Sequence, residues 1–376
     1  METIRFDDFI RLNRGFDLPD YKIEKGEYPV ITSTNIKAFH KEYKVEGPMV
    51  VTGRSGSLGK VQYIEGRCWP LNTSLYVKDY KGNFPRYVYY FLQMMHLEQY
   101  NAGAGVPTLN QNHLHSLKIK IHKKKLQQKI ASILSSYDRL IENNTRRIRL
   151  LEQMAENLYK EWFVRFRFPE HENVEMVNGL PKGWEIKIIA DFGRIETGKT
   201  PPMSNRDLYG GDILFVKTPD MHGKMFVRST SETLSQEGNN YQRTKLLPIN
   251  SIMVSCIGTA GVVSINTNLA HTNQQINSII LNNLEDLEWL YYACRQLKPT
   301  IELFGATGAT MTNLSKGKFE KLKIVVPKVD FRGAFHKRIR PYFKEIYALE
   351  QQNTLLTRQR DLLLPRLMSG KLEVKS

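Results

Sequence analysis

"VTGRSGSLGKV", residues 51 to 61, decides how this chain is read. Its spaced glycines and closing Gly59-Lys60 look like a loop built to cradle phosphate. That pattern needs four residues between its glycines, and a Ser or Thr after the lysine to bind magnesium. Here five residues separate Gly53 from Gly59, and Val61 follows Lys60, so the stretch fails on both counts. Its meaning comes from a second occurrence: "SGSLGKV" (55 to 61) recurs as "IGTAGVV" (257 to 263). Gly56, Gly59 and Val61 align with Gly258, Gly261 and Val263, whereas Lys60 aligns with Val262. Glycines at fixed spacing beside β-branched residues specify a tight turn between strands. Such a turn can carry its variable residues towards a ligand: Arg54 and Ser55 in one copy, Cys256, Ile257 and Thr259 in the other.

The similarity extends in both directions. "FIRLNRGFDLP" (9 to 19) matches "FGRIETGKTPP" (192 to 202), pairing Gly15 with Gly198. "GAGVPTLNQNHLHSLKI" (103 to 119) matches "GATMTNLSKGKFEKLKI" (308 to 324). The offset grows from 183 at the start (9 to 192) to 205 at the end (103 to 308). The chain therefore holds two related domains, the second with added loop residues, many of them expected within 203 to 226.

After each copy the pattern changes to a long helix. Leu134, Tyr137, Ile141, Asn144, Ile148, Leu151, Ala155, Leu158 and Trp162 follow one another at alternating spacings of 3 and 4, a heptad series. Adding 205 gives Ile339, Tyr342, Ile346, Leu349, Asn353, Leu356, Arg360, Leu363 and Leu367. All but Arg360 suit a seam between two helices, and Arg360 is expected to reach outward. Asn144 and Asn353 either set the register or are simply exposed, and both readings stay open. A helix of about 35 residues is roughly 50 Å long, enough for a rigid spacer between domains. "FRFPEHENVEMVNGLPKGWE" (166 to 185) reads as a linker into the second domain. The second helix must then run back to meet the first, which makes the pair antiparallel. Pro341 is expected to kink or begin it. Leu140, Leu150, Tyr159, Leu355 and Leu362 are assigned to the outer faces, which favours a protein partner. The fold class is α+β: two homologous mixed α/β domains separated by a pair of long antiparallel coiled-coil helices. The expected boundaries are 1–121 and 169–327 for the domains, 122–168 for the central helix, and 328–376 for the C-terminal helix and tail.

Composition narrows the partner. Among 376 residues, 54 Lys and Arg face 38 Asp and Glu, a net charge of +16 that favours a polyanion, most often nucleic acid. A membrane surface is the rival, but no apolar run approaches the roughly 18 residues of a span. "METIRFDDFIRL" carries acids where a signal peptide carries lysines, so a cytoplasmic protein is expected. Cys68, Cys256 and Cys294 are too scattered for a disulfide framework or zinc knuckle. His113 and His115 lack nearby acidic or thiol ligands and are read as loop or surface residues. No metal site is expected. "TPPM" (200 to 203) lacks the amide donor and the aromatic of an adenine-methyltransferase tetrad, and Glu185-Ile186-Lys187 is a nuclease-like triplet that chance supplies in so charged a chain. A catalytic centre is not expected.

Two related basic domains, each followed by a long helix, resemble the DNA-specificity subunit of type I restriction-modification systems. "LPKGWE" (180 to 185) opening the second domain and "LLLPRLMSGKLEV" (362 to 374) closing the helix belong to the same resemblance, which covers nearly the whole chain. It implies that each domain is a target-recognition domain reading one half of a split DNA sequence. It also implies that the helices set the spacing and bind two modification subunits, with restriction subunits completing the complex. S-adenosylmethionine, ATP and magnesium would sit only on those partners. Readout needs donors and acceptors at base edges, carried on loops between strands. The candidates in domain one are Arg14, Asn35, Arg54, Ser55, Lys60, Asn72, Thr73, Thr108 and Asn110. In domain two they are Lys199, Thr200, Lys217, Thr218, Asp220, Thr259, Asn273, Gln274, Gln275, Thr310 and Asn313. Two rival classes remain: a nuclease whose basic lobes clamp nucleic acid, and a non-enzymatic scaffold for nucleic acid or protein.

Overall fold

Backbone register reveals the duplication more plainly than the side chains do. The computed structural model describes residues 1–305 and 313–374. The chain divides into two units, Met1–Thr145 with Gln351–Ser376, and Arg146–Glu350.

In the first unit, β1 (Glu2–Arg5) pairs antiparallel with β9 (Lys118–Ile121). A four-stranded sheet has the order β2 (Arg11–Arg14), β8 (Ser74–Asp79), β5 (Met49–Gly53), β6 (Val61–Ile64). A three-stranded sheet has the order β4 (Ile36–His40), β3 (Lys25–Ile31), β7 (Trp69–Pro70), with β3 and β7 parallel. Successive side chains of a strand point to opposite faces. In β5 this sends Val50 into a core with Phe6, Leu12, Val77 and Tyr87, while Met49 and Val51 enter a smaller one with Ile31, Cys68 and Tyr76. A strand buried on both faces explains why "MVVTG" reads as a continuous apolar run rather than an alternating one.

The second unit repeats this plan. The linker folds into a short hairpin of β10 (Met176–Val177) and β11 (Leu180–Pro181), with Asn178 and Gly179 both at positive φ, as a two-residue Asn-Gly turn requires. β12 (Glu185–Ile188) pairs with β21 (Lys323–Val326) as β1 does with β9. The larger sheet has the order β13 (Gly193–Thr197), β20 (Ile276–Leu281), β17 (Ile252–Ser255), β18 (Val263–Asn266), β15 (Phe226–Val227). The smaller has β16 (Glu232–Leu234), β14 (Tyr209–Val216), β19 (Ala270–Thr272). The added length falls within 217–231, which supplies the extra strand β15, and again within 235–251. The expected site, 203–226, therefore accounts for only part of it.

The glycines behave as turn formers. Gly56 and Gly59 between β5 and β6, and Gly258 and Gly261 between β17 and β18, all take φ between 75° and 88°. Gly15 and Gly198 act by close approach instead. A Cβ on Gly15 would lie 2.2 Å from the Leu71 carbonyl oxygen, and one on Gly198 2.2 Å from that of Asn273.

The central helix, Lys124–Tyr159, and the C-terminal helix, Val329–Met368, pack together antiparallel. In the first unit Asp138 Oδ1 accepts from Arg360 Nη1 at 2.8 Å, and Asn144 Nδ2 donates to Gln352 Oε1 at 2.9 Å and Asn353 Oδ1 at 3.0 Å. In the second, Arg147 Nη2 meets Glu345 Oε1 at 2.6 Å, and the Phe335 ring lies 6.1 Å from that of Tyr159. Of the heptad positions, Leu134, Asn144, Ala155, Trp162, Ile339, Ile346, Leu349 and Leu367 are buried. Tyr137, Ile141, Ile148, Leu151, Leu158, Tyr342, Asn353, Leu356 and Leu363 are half-buried.

Three expectations about these helices are corrected. Arg360 does not simply reach outward, because Asp138 offers its guanidinium a carboxylate at the partly buried pair. Pro341 does not begin the helix, which starts at Val329; its exposed ring is tolerated where Ile339 and Phe343 on either side are buried and anchor the turn. Tyr159 belongs to the aromatic core with Tyr292 and Phe335 rather than to an outer face. Leu140, Leu150, Leu355 and Leu362 are exposed.

Candidate nucleic-acid interface

Three segments of the first unit are joined at the turn quoted above. The Arg54 and Ser55 amides donate to the Thr73 carbonyl at 2.8 and 3.1 Å, and Arg54 Nε donates to the Asn72 carbonyl at 2.9 Å. On the other side Leu109 N–H donates to the Arg54 carbonyl at 2.8 Å and Gly56 N–H to that of Pro107 at 2.9 Å, with Ser55 bridging Thr108. Arg14, Arg54, Thr108 and Asn110 line one open cavity of about 330 Å³. Arg14 Nη2 lies 3.4 Å from Asp17 Oδ1, which also accepts from the Asn72 amide. Seven candidates, Arg14, Arg54, Ser55, Asn72, Thr73, Thr108 and Asn110, thus gather at one place. Asn35 stands apart, its Oδ1 taking the Thr32 hydroxyl at 2.6 Å within a turn of its own. Lys60 is exposed on the glycine turn, where its carbonyl accepts from Thr52 Oγ1 at 3.0 Å.

The second unit repeats the junction with other side chains. Cys256 N–H donates to the Gln275 carbonyl at 2.7 Å, Leu314 N–H to that of Cys256 at 3.0 Å, and Ile257 bridges Asn313. Thr200 Oγ1 donates to Gln274 Oε1 at 2.6 Å. Gln275 Oε1 accepts from Asn273 Nδ2 at 3.1 Å and from Thr218 Oγ1 at 3.3 Å. Lys199 places its ammonium 4.7 Å from the centre of the Tyr241 ring. These polar groups form one amide-rich cluster. Asp220 is spent on its own loop, because its carboxylate accepts the Lys217 and Ser231 amides, both at 2.9 Å. Lys217 Nζ is paired with Glu232 at 2.7 Å. Thr259 is exposed, and its carbonyl takes the Ser255 hydroxyl at 2.6 Å. Thr310 lies outside the described residues.

Sequence reading missed Gln111, whose side chain lines the first cavity, and Tyr241, which carries Lys199. Gln111 adjoins the candidate Asn110, so its signal was adjacency alone. Tyr241 sits in the added residues, where no repeat partner marks it. The histidine reading is corrected as well: His115 is buried in the helix Gln111–Ser116, where its Nε2 accepts from the Leu12 amide at 3.0 Å. Burial pushes the His271 imidazole down to about 4 and the Cys256 thiol up to about 11. Both are neutral packing groups at ordinary pH. Among the described residues no cluster of His, Cys, Asp and Glu could hold a metal ion, and no helix is long and apolar enough to cross a membrane.

Comparison with known proteins places this arrangement. Residues 1–153 and 181–356 match the family described as type I restriction modification DNA specificity domain. The HindI specificity subunit of Haemophilus influenzae is 36% identical over 334 residues, covering 72% of each chain. The MjaIX specificity subunit of Methanocaldococcus jannaschii is 27% identical over 381 residues, covering 96% of this chain and 86% of the relative. A crystal structure of a type I restriction-modification S subunit from M. genitalium shares the fold, with a TM-score of 0.68 at 16% identity over 100% of this chain and 96% of that one. The chain belongs to the DNA-specificity subunits of type I restriction-modification systems. It determines DNA target recognition and is itself non-catalytic.

Proposed function

We propose that each unit reads one half of a split duplex target, and that the paired helices fix the gap between halves and present their outer faces to two modification subunits. S-adenosylmethionine then belongs to those partners, and ATP and magnesium to restriction subunits, so that this chain supplies recognition only. The observation that carries this reading is the duplicated junction. The same three backbone segments meet in each unit, but Arg54, Ser55 and Thr108 of one are replaced by Cys256, Ile257 and Asn313 of the other. A conserved frame with divergent side chains is what two different half-sequences require. Arg pairs bidentately with guanine and Gln or Asn with adenine, each contact worth roughly 1–3 kcal/mol of discrimination. The net charge of +16 adds phosphate attraction, which positions the duplex without reading it.

Reconstitution with the modification partner and sequencing of methylated duplexes from a random library tests the proposal. The expected product is a two-part motif with a fixed gap, in which Arg54→Ala relaxes one half and Gln274→Ala only the other. Equal loss in both halves, or methylation without a two-part preference, refutes it.

A further inference from the structure

A pair of bonded side chains recurs at the two junctions, anchored by Gly15 and Gly198. Gly15 N–H donates to the Ser74 carbonyl at 3.0 Å, and Gly198 N–H to that of Ile276 at 3.2 Å. The next residue of each makes the next bond: Phe16 N–H to the Pro70 carbonyl at 2.8 Å, Lys199 N–H to that of Thr272 at 2.9 Å. Asp17 and Thr200 follow, and each meets the side-chain amide that stands two residues before Ser74 or Ile276. Asn72 Nδ2 donates to the Asp17 carboxylate, whereas Gln274 Oε1 accepts from the Thr200 hydroxyl at 2.6 Å. The bond is kept in both units, and its direction is reversed.

In the second unit, three consecutive amide side chains are left with different work. Asn273 is 9% exposed and builds the turn: its Oδ1 accepts from the Gln275 amide at 3.2 Å, its Nδ2 donates to Gln275 Oε1 at 3.1 Å, and its carbonyl takes the Ile276 amide at 3.2 Å. Gln275 Oε1 also takes the Thr218 hydroxyl at 3.3 Å, so both of its lone pairs are used and its amide is left as a donor only. Gln274 is the exposed member. Thr200 occupies one of the two lone pairs on its Oε1. Among the described residues the other lone pair and both N–H groups have no partner. The close approach of Gly198 to the Thr272 and Asn273 carbonyls is what brings Thr200 within reach of this amide.

An adenine presents one acceptor, N7, and one donor, the N6 amino group, side by side in the major groove, and a glutamine amide is the complement of that edge. An amide already held in one orientation loses less freedom when it meets the base. We infer that Gln274 reads an adenine in the second unit's half of the target, with Nε2 donating to N7 and Oε1 accepting from N6, and that Thr200 is a positioning residue that holds the amide for this contact. Asn72 and Asp17 occupy the equivalent places in the first unit. The inference rests on the half-site reading above and adds the identity of one base and the residue that orients its reader.

The test uses the full chain assembled with its modification partner and the same library, comparing Gln274→Ala, Gln274→Glu, Thr200→Val and Thr200→Ser with the unaltered protein. Gln274→Ala should relax one A·T position of one half by roughly 5- to 100-fold. Gln274→Glu keeps an acceptor and loses the donor, so that position should shift towards cytosine, whose N4 amino group donates. Thr200→Val should relax the same position and no other, and Thr200→Ser, which restores the hydroxyl, should leave the motif as it was. The untouched half-site serves as the internal measure of folding. A two-part motif in which the Gln274 variants change no A·T position overturns the adenine contact alone, and equal motifs from Thr200→Val and Thr200→Ser overturn the positioning role. Absence of any two-part motif for the unaltered protein overturns the half-site reading beneath it.

Discussion

Replacing Asn144 by Leu should cost the first unit about 2 kcal/mol, and replacing Asn353 as well should restore most of it. Asn144 is 5% exposed and donates two hydrogen bonds across the helix seam, to Gln352 and Asn353. Each such bond contributes about 1 kcal/mol net. Gln352 is exposed and regains water when its donor is removed, so its loss is small. Asn353 is half-buried and keeps only a long contact, 3.3 Å, to Thr145 Oγ1, so its stranded amide adds about 1 kcal/mol of unmet desolvation. With both asparagines changed to leucine nothing is stranded and apolar burial replaces the bonds, so the double variant should lie within about 0.5 kcal/mol of the parent. Urea unfolding of the four proteins in the cycle, followed by circular dichroism, gives the coupling from the transition that the single variant shifts. Asn353→Leu alone removes the Asn144 bond while Gln352 still takes that amide, and should cost about 1 kcal/mol, so the coupling, the double effect less both single ones, is expected to be about 3 kcal/mol. Additive single effects, within about 0.5 kcal/mol, refute the claim that these residues are bonded in the seam.

Gly198→Ala drives a Cβ to 2.2 Å from backbone carbonyl oxygens of Thr272 and Asn273, so it should destabilise the second unit by roughly 1–3 kcal/mol in urea unfolding; an unchanged midpoint would show the approach to be looser. Burial raises the Glu350 carboxyl to about 7, with Glu152 adding to the rise. The folded state therefore holds that proton more tightly than the unfolded state. Its contribution is full below about pH 4.5 and is lost as pH rises through about 7, a total change on the order of 3 kcal/mol across that window. Glu350→Gln should flatten that slope and raise the melting temperature at pH 8, and a parallel pH profile in the variant would refute it.

The parts of the fold visible in the sequence are those set by local chemistry. The spacing of Gly56, Gly59, Gly258 and Gly261 reports turns that need positive φ, and the helix pattern reports a seam. What stayed hidden depends on distant partners. Nothing near Arg360 in sequence announces Asp138, and the run around Pro341 is helical because Ile339 and Phe343 are buried against other elements. Parallel pairing of β3 with β7, and of β14 with β19, joins strands far apart in the chain and has no local signature. At the candidate interface, polar residue type located the junction segments, but it did not separate Asp220, consumed by its own loop, from Gln111, whose buried oxygen has no partner. Residue type tells what a side chain can donate or accept; only the packed structure tells what has already been taken.

The C-terminal helix closes the first unit's core: Leu367 and Met368 are buried in one cluster with Phe6, Phe9 and Leu134, and Leu363 packs against it. During synthesis the second unit, the unbroken stretch Arg146–Glu350, has left the ribosome before these residues appear. The domain made first must therefore wait, with part of its apolar surface uncovered, until the domain made second is complete. Such late, long-range closure is slow and leaves a window for aggregation. A nascent chain arrested shortly after Glu350 would be the most protease-sensitive and chaperone-dependent stage of this protein's birth.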